Sequence, residues 1–461
     1  MNSSHINLFQ NVFIHHRDLR KNDNTTLNKM YSELKQPIIP IFIFPPEQIN
    51  PKKNKYFSNN LVQFMCESLT KLKKEYNGNL HFYEGDTIKV LKKLHSKFLI
   101  KNIGFNLDYS PYAIKRDTKI RKWANKNNIN VFAEEDMLLV NIMNNNVKIY
   151  KIFTPFYKYL KLTHNVKFPQ TKKIETIKFK KTIPQELKET DLKKFYMVNN
   201  SIHVKSGRNN ALKKLILVKN QKHYNKMRDY LTYNTTHLSS YINLGLLSIR
   251  EVYHYCLKAL GSKNYIIKEL YWRDFYYNIL YFFPYIISSA FKQKYNKIKW
   301  SYDIKIFKLW CEGKTGFPIV DACMRQLNET GFMHNRGRMI VASFLTKDLL
   351  IDWKWGEKYF ASKLQDYNMA ANNGGWQWCA GTGSDAQPYF RIFNPWTQSI
   401  KYDPKCEYIK KWIPDLIKID NKHIHNWFKY YNKYVINYPK PIINHDVARK
   451  KTIKIYKKIF N

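Results

Sequence analysis

GKTGFPIVDACMRQLNETGFMHNRGRMIVASFLTKDLLIDW (residues 313–353) and DYNMAANNGGWQWCAGTGSDAQPYFRIFNP (residues 366–395) stand apart from the rest of the chain. Elsewhere Lys, Asn and Ile dominate; here Arg, Gly, Ala, Asp and Trp enter together. Ten of the 11 Trp residues lie from Trp272 onward. Tryptophan is bulky and redox-active, and Asn and Arg fix planar heterocycles well. A large planar cofactor beside a line of indoles accounts for both. From about Tyr224 to Asn461 helical periods dominate, without tandem repeats or coiled-coil heptads.

Residues 1–140 read differently. Apolar runs at Asn11–His15, Pro37–Phe44, Asn79–Tyr83, Lys101–Leu107 and Asn130–Ala133 alternate with helical periods such as Phe57–Tyr76 and Ile114–Asn125. That alternation predicts a Rossmann-like parallel sheet with helices on both faces, whose ligands bind at the strands' carboxyl ends. No GxGxxG follows the first strand; the chain reads HHRDLRKNDN (His15–Asn24) instead. Residues 141–222 are basic and polar, apart from YKIFTPFYKYL (Tyr150–Leu160), and read as a linker. The expected fold is thus an α/β domain (1–140), a linker (141–222) and an all-α domain (223–461).

The formal net charge is +43, from 78 Lys and Arg against 35 Asp and Glu. Such a balance suits a polyanion, nucleic acid first. Lys, Asn and Ile are also what A/T-rich codons favour, so the placement of Arg carries more information than the total. The six cysteines form no CxxC pair, which leaves zinc ribbons and redox dithiols unsupported and fits reduced thiols in the cytoplasm. The start, MNSSHINLFQ, lacks a secretory pattern. The most apolar run, Tyr276–Ala290, is broken by Pro284 and too short for a membrane span. No HExxH or GxSxG occurs, and no metal site is expected.

Several constellations could carry chemistry. In KELYWRDFYY (Lys268–Tyr277), Glu269, Trp272, Arg273 and Tyr276 share a helical face. A carboxylate and a guanidinium beside two aromatics resemble a pocket wall more than a surface ion pair. In FMHNRGRM, Asn335 and Met339 share one face, and Arg336 and Arg338 on an apolar helix call for a phosphate or a carboxylate such as Asp366. AANNGGWQW (Ala370–Trp378) joins two amides to two indoles, with Gly374 and Gly375 permitting close backbone approach. Thr235, Thr236 and Ser239 precede a helical period, as phosphate-binding hydroxyls or as ordinary caps.

WRDFYY, GKTGFPIVDACMRQL, TGFMHNRGRM, ASFLTKDLLIDW, AANNGGWQW and PYFRIFNP together resemble the photolyase/cryptochrome family, nearest to its class I cyclobutane pyrimidine dimer photolyases. RDLR (Arg17–Arg20), YKIFTPFYK and Glu407–Leu416 extend the resemblance to nearly the whole chain. It implies an antenna domain followed by a helical catalytic domain that binds FAD, and light-driven splitting of pyrimidine dimers in damaged DNA. The cofactor carries the hard chemistry and the protein supplies position and electrostatics. Implied FAD contacts are Tyr224, Thr235, Thr236, His237, Leu238, Ser239, Trp272, Arg338, Asp366, Tyr367, Asn368 and Asn372, the last beside the flavin N5. Glu269, Trp272, Asn335 and Met339 are implied as the catalytic dimer pocket. DNA contacts are implied at Arg228, Arg336, Arg391 and Thr397, with Arg273 and Tyr276 beside the pocket. Trp376, Trp353 and Trp300 are implied as an electron-transfer chain to the surface.

The family's Thr-Ser-Arg-Leu-Ser run here carries His237 in place of Arg, which removes a fixed charge. The family's antenna pigment is methenyltetrahydrofolate or a deazaflavin. Folate-binding relatives place Asn-Glu after the fourth strand, where this chain has Tyr112-Ala113. A cryptochrome, a signalling protein on the same scaffold, is the main alternative; such proteins often replace the residues equivalent to Asn372 or Glu269, both present here. The six-four photoproduct enzyme places a His pair where this chain has Asn335 and Met339. A monomer in the cytoplasm, without membrane association, is expected.

Overall fold

The computed structural model describes residues 10–143 and 148–459. The reading of the first nine residues therefore lies outside the described part, as do 144–147 of the expected linker. Five parallel strands, β1 (Gln10–His15), β2 (Ile39–Phe44), β3 (His81–Glu84), β4 (Ile100–Asn106) and β5 (Asn130–Glu134), form one sheet. A short β6 (Glu186–Leu187) joins β3 antiparallel, giving the order β5-β4-β1-β2-β3-β6. Every residue of β2 is buried, as a parallel sheet covered on both faces requires. Along β1 the faces alternate: Phe13 packs into one core, Val12 and Ile14 into the other.

The helices between strands start where the sequence supplies caps. Asn24, Ser58, Asp86 and Ser110 each accept a hydrogen bond from a backbone N–H in the first turn of Thr25–Leu34, Asn59–Glu75, Thr87–Phe98 and Pro111–Lys126, satisfying donors the helix leaves open. The expected helical periods fall within these bounds to a few residues.

The polar run that replaces a glycine loop after β1 ties the two halves together. Arg20 donates to Asp136 at 2.6 Å, and Arg250, from the helical half, donates to Asp23 at 2.9 Å and to Asp136 at 2.8 Å. All four side chains are buried, so each charge needs its partner. Arg17 reaches from the same turn to Asp108 (3.3 Å), Tyr277 (3.0 Å) and the Asn243 amide. The crevice between the carboxyl ends of β1 and β4, where a doubly wound sheet reverses its strand order, is thereby reduced to about 20 Å³.

The stretch expected as a plain linker does more than connect. Phe153–Thr163 is a helix, β6 extends the sheet, and Phe179 and Ile183 are buried in the core of the α/β domain. A two-residue strand has no alternation to reveal it. Beyond it the chain is helical. Among the described residues no helix is long and apolar enough to cross a membrane.

Candidate active site

Four helices of the C-terminal half surround a cavity of about 330 Å³. Tyr265–Phe282 contributes Glu269, Trp272 and Tyr276; Asn335–Ser343 contributes Asn335, Arg338 and Met339; Trp353–Lys363 contributes Phe360; Met369–Ala380 contributes Asn372, Gly375, Trp376 and Trp378. Sequence positions more than a hundred residues apart thus converge on one space.

The adjacent glycines in Met369–Ala380 have opposite duties. A Cβ on Gly374 would lie 2.1 Å from the Tyr276 ring, so only glycine lets the two helices meet there. A Cβ on Gly375 would meet nothing within 4 Å and would project into open space. The expectation that both glycines serve close approach is therefore corrected: Gly375 keeps the cavity clear. Glycine in a helix costs roughly 1 kcal/mol relative to alanine, and packing against Tyr276 is what offsets it. Trp376 in turn lodges against Gly356, where a Cβ would come within 2.2 Å of the indole.

Polar groups around the cavity are fixed by their partners. Arg338 grips both oxygens of Asp366, at 3.1 and 2.8 Å, and donates to the Met333 carbonyl at 2.9 Å. Held at Nε by Met333 and at one terminal nitrogen by Asp366, the guanidinium is fixed in orientation. Asn372 donates from its amide nitrogen to the Glu357 carbonyl at 3.0 Å, which orients its amide beside the cavity. Burial pushes the Glu357 carboxyl up to about 7. Glu269 is ion-paired with Arg228; burial raises its carboxyl above the ordinary range, and Arg228 opposes the rise. The amide of Asn335 lies 3.8 Å from the Met339 sulfur.

Trp272 is backed by a residue that sequence reasoning did not single out. Phe153 stacks on it with ring centroids 3.7 Å apart and planes within 6°. The linker motif thus buttresses the indole, a role visible only once Phe153–Thr163 is seen packed on Tyr265–Phe282. Glu357 was missed likewise: it sits 15 positions from Asn372, a spacing that no periodicity marks.

Other expected site residues lie elsewhere. Arg273 faces the α/β domain, donating to the Met137 carbonyl at 2.7 Å and lying over the Tyr277 ring; the stripe at steps of three and four from Glu269 carries Trp272 and Tyr276 into the cavity and Arg273 past its edge. Arg336 pairs with Asp229 at 2.9 Å and packs on Tyr402. Tyr367 stacks against Tyr56 at 6.0 Å, away from the cavity lining. Asn368 lines the cavity, but its side chain caps Met369–Ala380 and donates to Tyr277 at 2.6 Å. Tyr224 adjoins the Arg228–Glu269 pair, both of which act on its phenol.

Thr235, Thr236, His237, Leu238 and Ser239 are not in the cavity lining. His237 has a left-handed backbone (φ 51°), contacts His203 at 2.7 Å and Asn234, and faces a separate cleft. Burial pulls it down to about 4, so it is neutral near pH 7 and does not replace the arginine's charge. Arg391 and Thr397 are exposed, beyond the lining.

The expected indole line begins at the cavity wall with Trp376. Trp376 is 2% exposed, and its ring contacts run to Trp310 (6.0 Å) and Phe360 (5.0 Å). Trp353 is buried one turn before Gly356, and Trp300 is carried close by the bridge between Ser301 and Ile351.

Comparison with known proteins gives two family models in tandem. The DNA photolyase model matches residues 11–173 and the FAD-binding domain of DNA photolyase matches residues 266–458. A deoxyribodipyrimidine photo-lyase of Buchnera aphidicola is 37% identical over 97% of this chain and 97% of its own. The Escherichia coli protein of the same name is 33% identical over 95% and 97%. Among solved structures, an archaeal photolyase from Sulfolobus tokodaii with two FAD molecules superposes with TM-score 0.87 at 36% identity, covering 98% of this chain and 100% of that one. A class III photolyase from Agrobacterium tumefaciens gives 0.89 at 30%, covering 98% of each. A Synechocystis cryptochrome, 24% identical, shares the fold. With both family models matched in order and relatives aligned almost end to end, this chain belongs to the DNA photolyase family.

Proposed function

We propose that this chain splits cyclobutane pyrimidine dimers in DNA under light, with FAD held in the cavity of the helical half. The observation that carries the reading is the convergence of Glu269, Trp272, Asn335, Arg338, Met339 and Asn372 on one space of about 330 Å³. The residues suit the cofactor. Gly375 leaves room where any side chain would intrude, the Arg338–Asp366 pair offers a held planar cation, and Asn372 presents a held amide.

When bound and reduced, FAD supplies a light-excited one-electron donor, and the remaining work falls to the chain. Trp272, backed by Phe153, offers its cavity side as a stacking surface for bases turned out of the duplex. Met339 supplies an adaptable apolar contact. Glu269 holds its proton more readily than an exposed glutamate, so it can donate a hydrogen bond to a pyrimidine carbonyl oxygen. Arg228 now satisfies Glu269; a DNA phosphate would exchange with it and release the carboxyl to the substrate. Asn335 is exposed at the mouth, where it can reach a base edge. Arg391 and Thr397 serve phosphates outside, and the affinity is salt-dependent.

The domain roles follow: an antenna domain to about residue 140, a connecting segment to 222, and the catalytic domain thereafter. For a second chromophore, the β1–β4 crevice of about 20 Å³ is the smaller opening. The opening of about 500 Å³ beside β5, lined by residues including Lys29, Glu134 and Lys172, is the larger space. A monomer in the cytoplasm is the working assembly; six buried cysteines without disulfides suit a reducing compartment.

The test is illumination of oligonucleotides bearing a thymine dimer with chemically reduced, FAD-loaded protein. Intact thymines should be recovered in blue light and not in the dark. Unrepaired dimers in the light would overturn the function.

A further inference from the structure

We propose that this chain has a second electron route from the cavity to the surface, Trp376–Trp310–Trp355–Tyr302, ending on the exposed phenol of Tyr302. It rests on the reading that FAD lies beside Trp376. Trp310 is fully buried and meets the Trp376 ring at 6.0 Å. Phe307 stacks on Trp310 at 5.7 Å and meets Trp355 at 5.1 Å. Trp355 meets Tyr302 at 5.7 Å, and Tyr302 is 62% exposed. The rings thus run in unbroken contact from the cavity wall to solvent.

Two neighbouring pairs place both exits on one edge. Trp353 and Trp355 begin one helix, Trp300 and Tyr302 flank the residue that bridges to Ile351, and the four aromatics alternate along these two segments. Phe307 is too hard to oxidise to hold a charge and acts as packed bridge between two indoles. Tyr359 also touches Trp310, at 5.8 Å, but is a poor end point. Its hydroxyl is tied to Asn328 at 2.6 Å and to the Cys311 carbonyl at 3.0 Å, and burial holds its proton on. Tyr302, in solvent, can release its proton.

The balance is simple. Trp376 gives one electron to the light-excited, oxidised flavin. Trp310 refills Trp376, Trp355 refills Trp310 across Phe307, and Tyr302 refills Trp355. Tyr302 loses its phenol proton to water and remains a neutral radical. A solution thiol returns one electron and one proton to it and is left as a thiyl radical.

The test uses FAD-loaded protein in a Trp300→Phe background, with ring-deuterated tyrosine incorporated. Photoreduction with added thiol should persist in Trp300→Phe. The light-induced electron paramagnetic resonance signal should then be a tyrosyl radical, narrowed by ring deuteration. Adding Tyr302→Phe, a mild change at an exposed site, should remove both the signal and the residual photoreduction; adding Trp355→Phe should do the same. A double variant that photoreduces as fast as Trp300→Phe, or the lack of a tyrosyl signal, overturns the route. Dimer repair by the chemically reduced double variant should equal wild type. Repair without a tyrosyl signal overturns the route alone, whereas protein that takes up no flavin overturns the route and the functional reading together.

Discussion

Glu357 is 3% exposed and its carboxyl is pushed from 4.5 to about 7 by burial. Between those values the unfolded chain gives up this proton while the folded chain keeps it. Stability therefore falls as pH rises through that window and stays lower above it. A displacement of that size corresponds to about 3 kcal/mol at most. Glu357→Gln should leave the melting temperature nearly unchanged below pH 4.5 and raise it by a few degrees above about pH 7, as thermal denaturation across that range would record. A constant offset at every pH would contradict the assignment. Legibility at this scale was uneven. The Arg338–Asp366 pair was foreseeable because an arginine on an apolar helix demands a carboxylate. Its neighbour Arg336 obeys the same rule, but its partner Asp229 lies 107 positions back, and no local rule points there. His237 was readable as a lost charge, while the direction of its side chain was not.

Helices and strands were the most legible level. Five strands and the main helices of the α/β domain follow from apolar runs and from Asn, Ser and Asp at the caps. The two-residue β6 and the buttressing of Trp272 by Phe153 depend on long-range packing and left no periodic trace. Met369–Ala380 is the element on which the site depends, and its paired glycines make separable predictions. Gly374→Val should force Met369–Ala380 away from Tyr276 and destabilise the fold, by roughly 1–3 kcal/mol for an overpacked contact. Gly375→Leu should leave the melting temperature of flavin-free protein close to wild type but abolish flavin retention. The measurements are thermal denaturation and flavin released per chain. Loss of stability in Gly375→Leu equal to that in Gly374→Val would show that the two glycines do not divide their roles as the contacts imply.

At the scale of the molecule, the charge of +43 was the least specific signal. Arg20, Arg208, Arg250, Arg336 and Arg338 are each paired with a carboxylate. Of these, Arg20 and Arg250 lock the halves together and Arg338 shapes the cavity. Much of the excess is lysine, which codon composition alone would supply. The specific information lay in the convergence of separated motifs on one space, which the order of motifs along the chain implied and only the fold made concrete. The central claim is that this space brings a light-excited flavin within electron reach of an extruded dimer. The fluorescence lifetime of reduced flavin in the loaded protein tests it most directly. Adding a dimer-containing oligonucleotide should shorten that lifetime, and the undamaged oligonucleotide should not. An unchanged lifetime with saturating dimer would contradict the account.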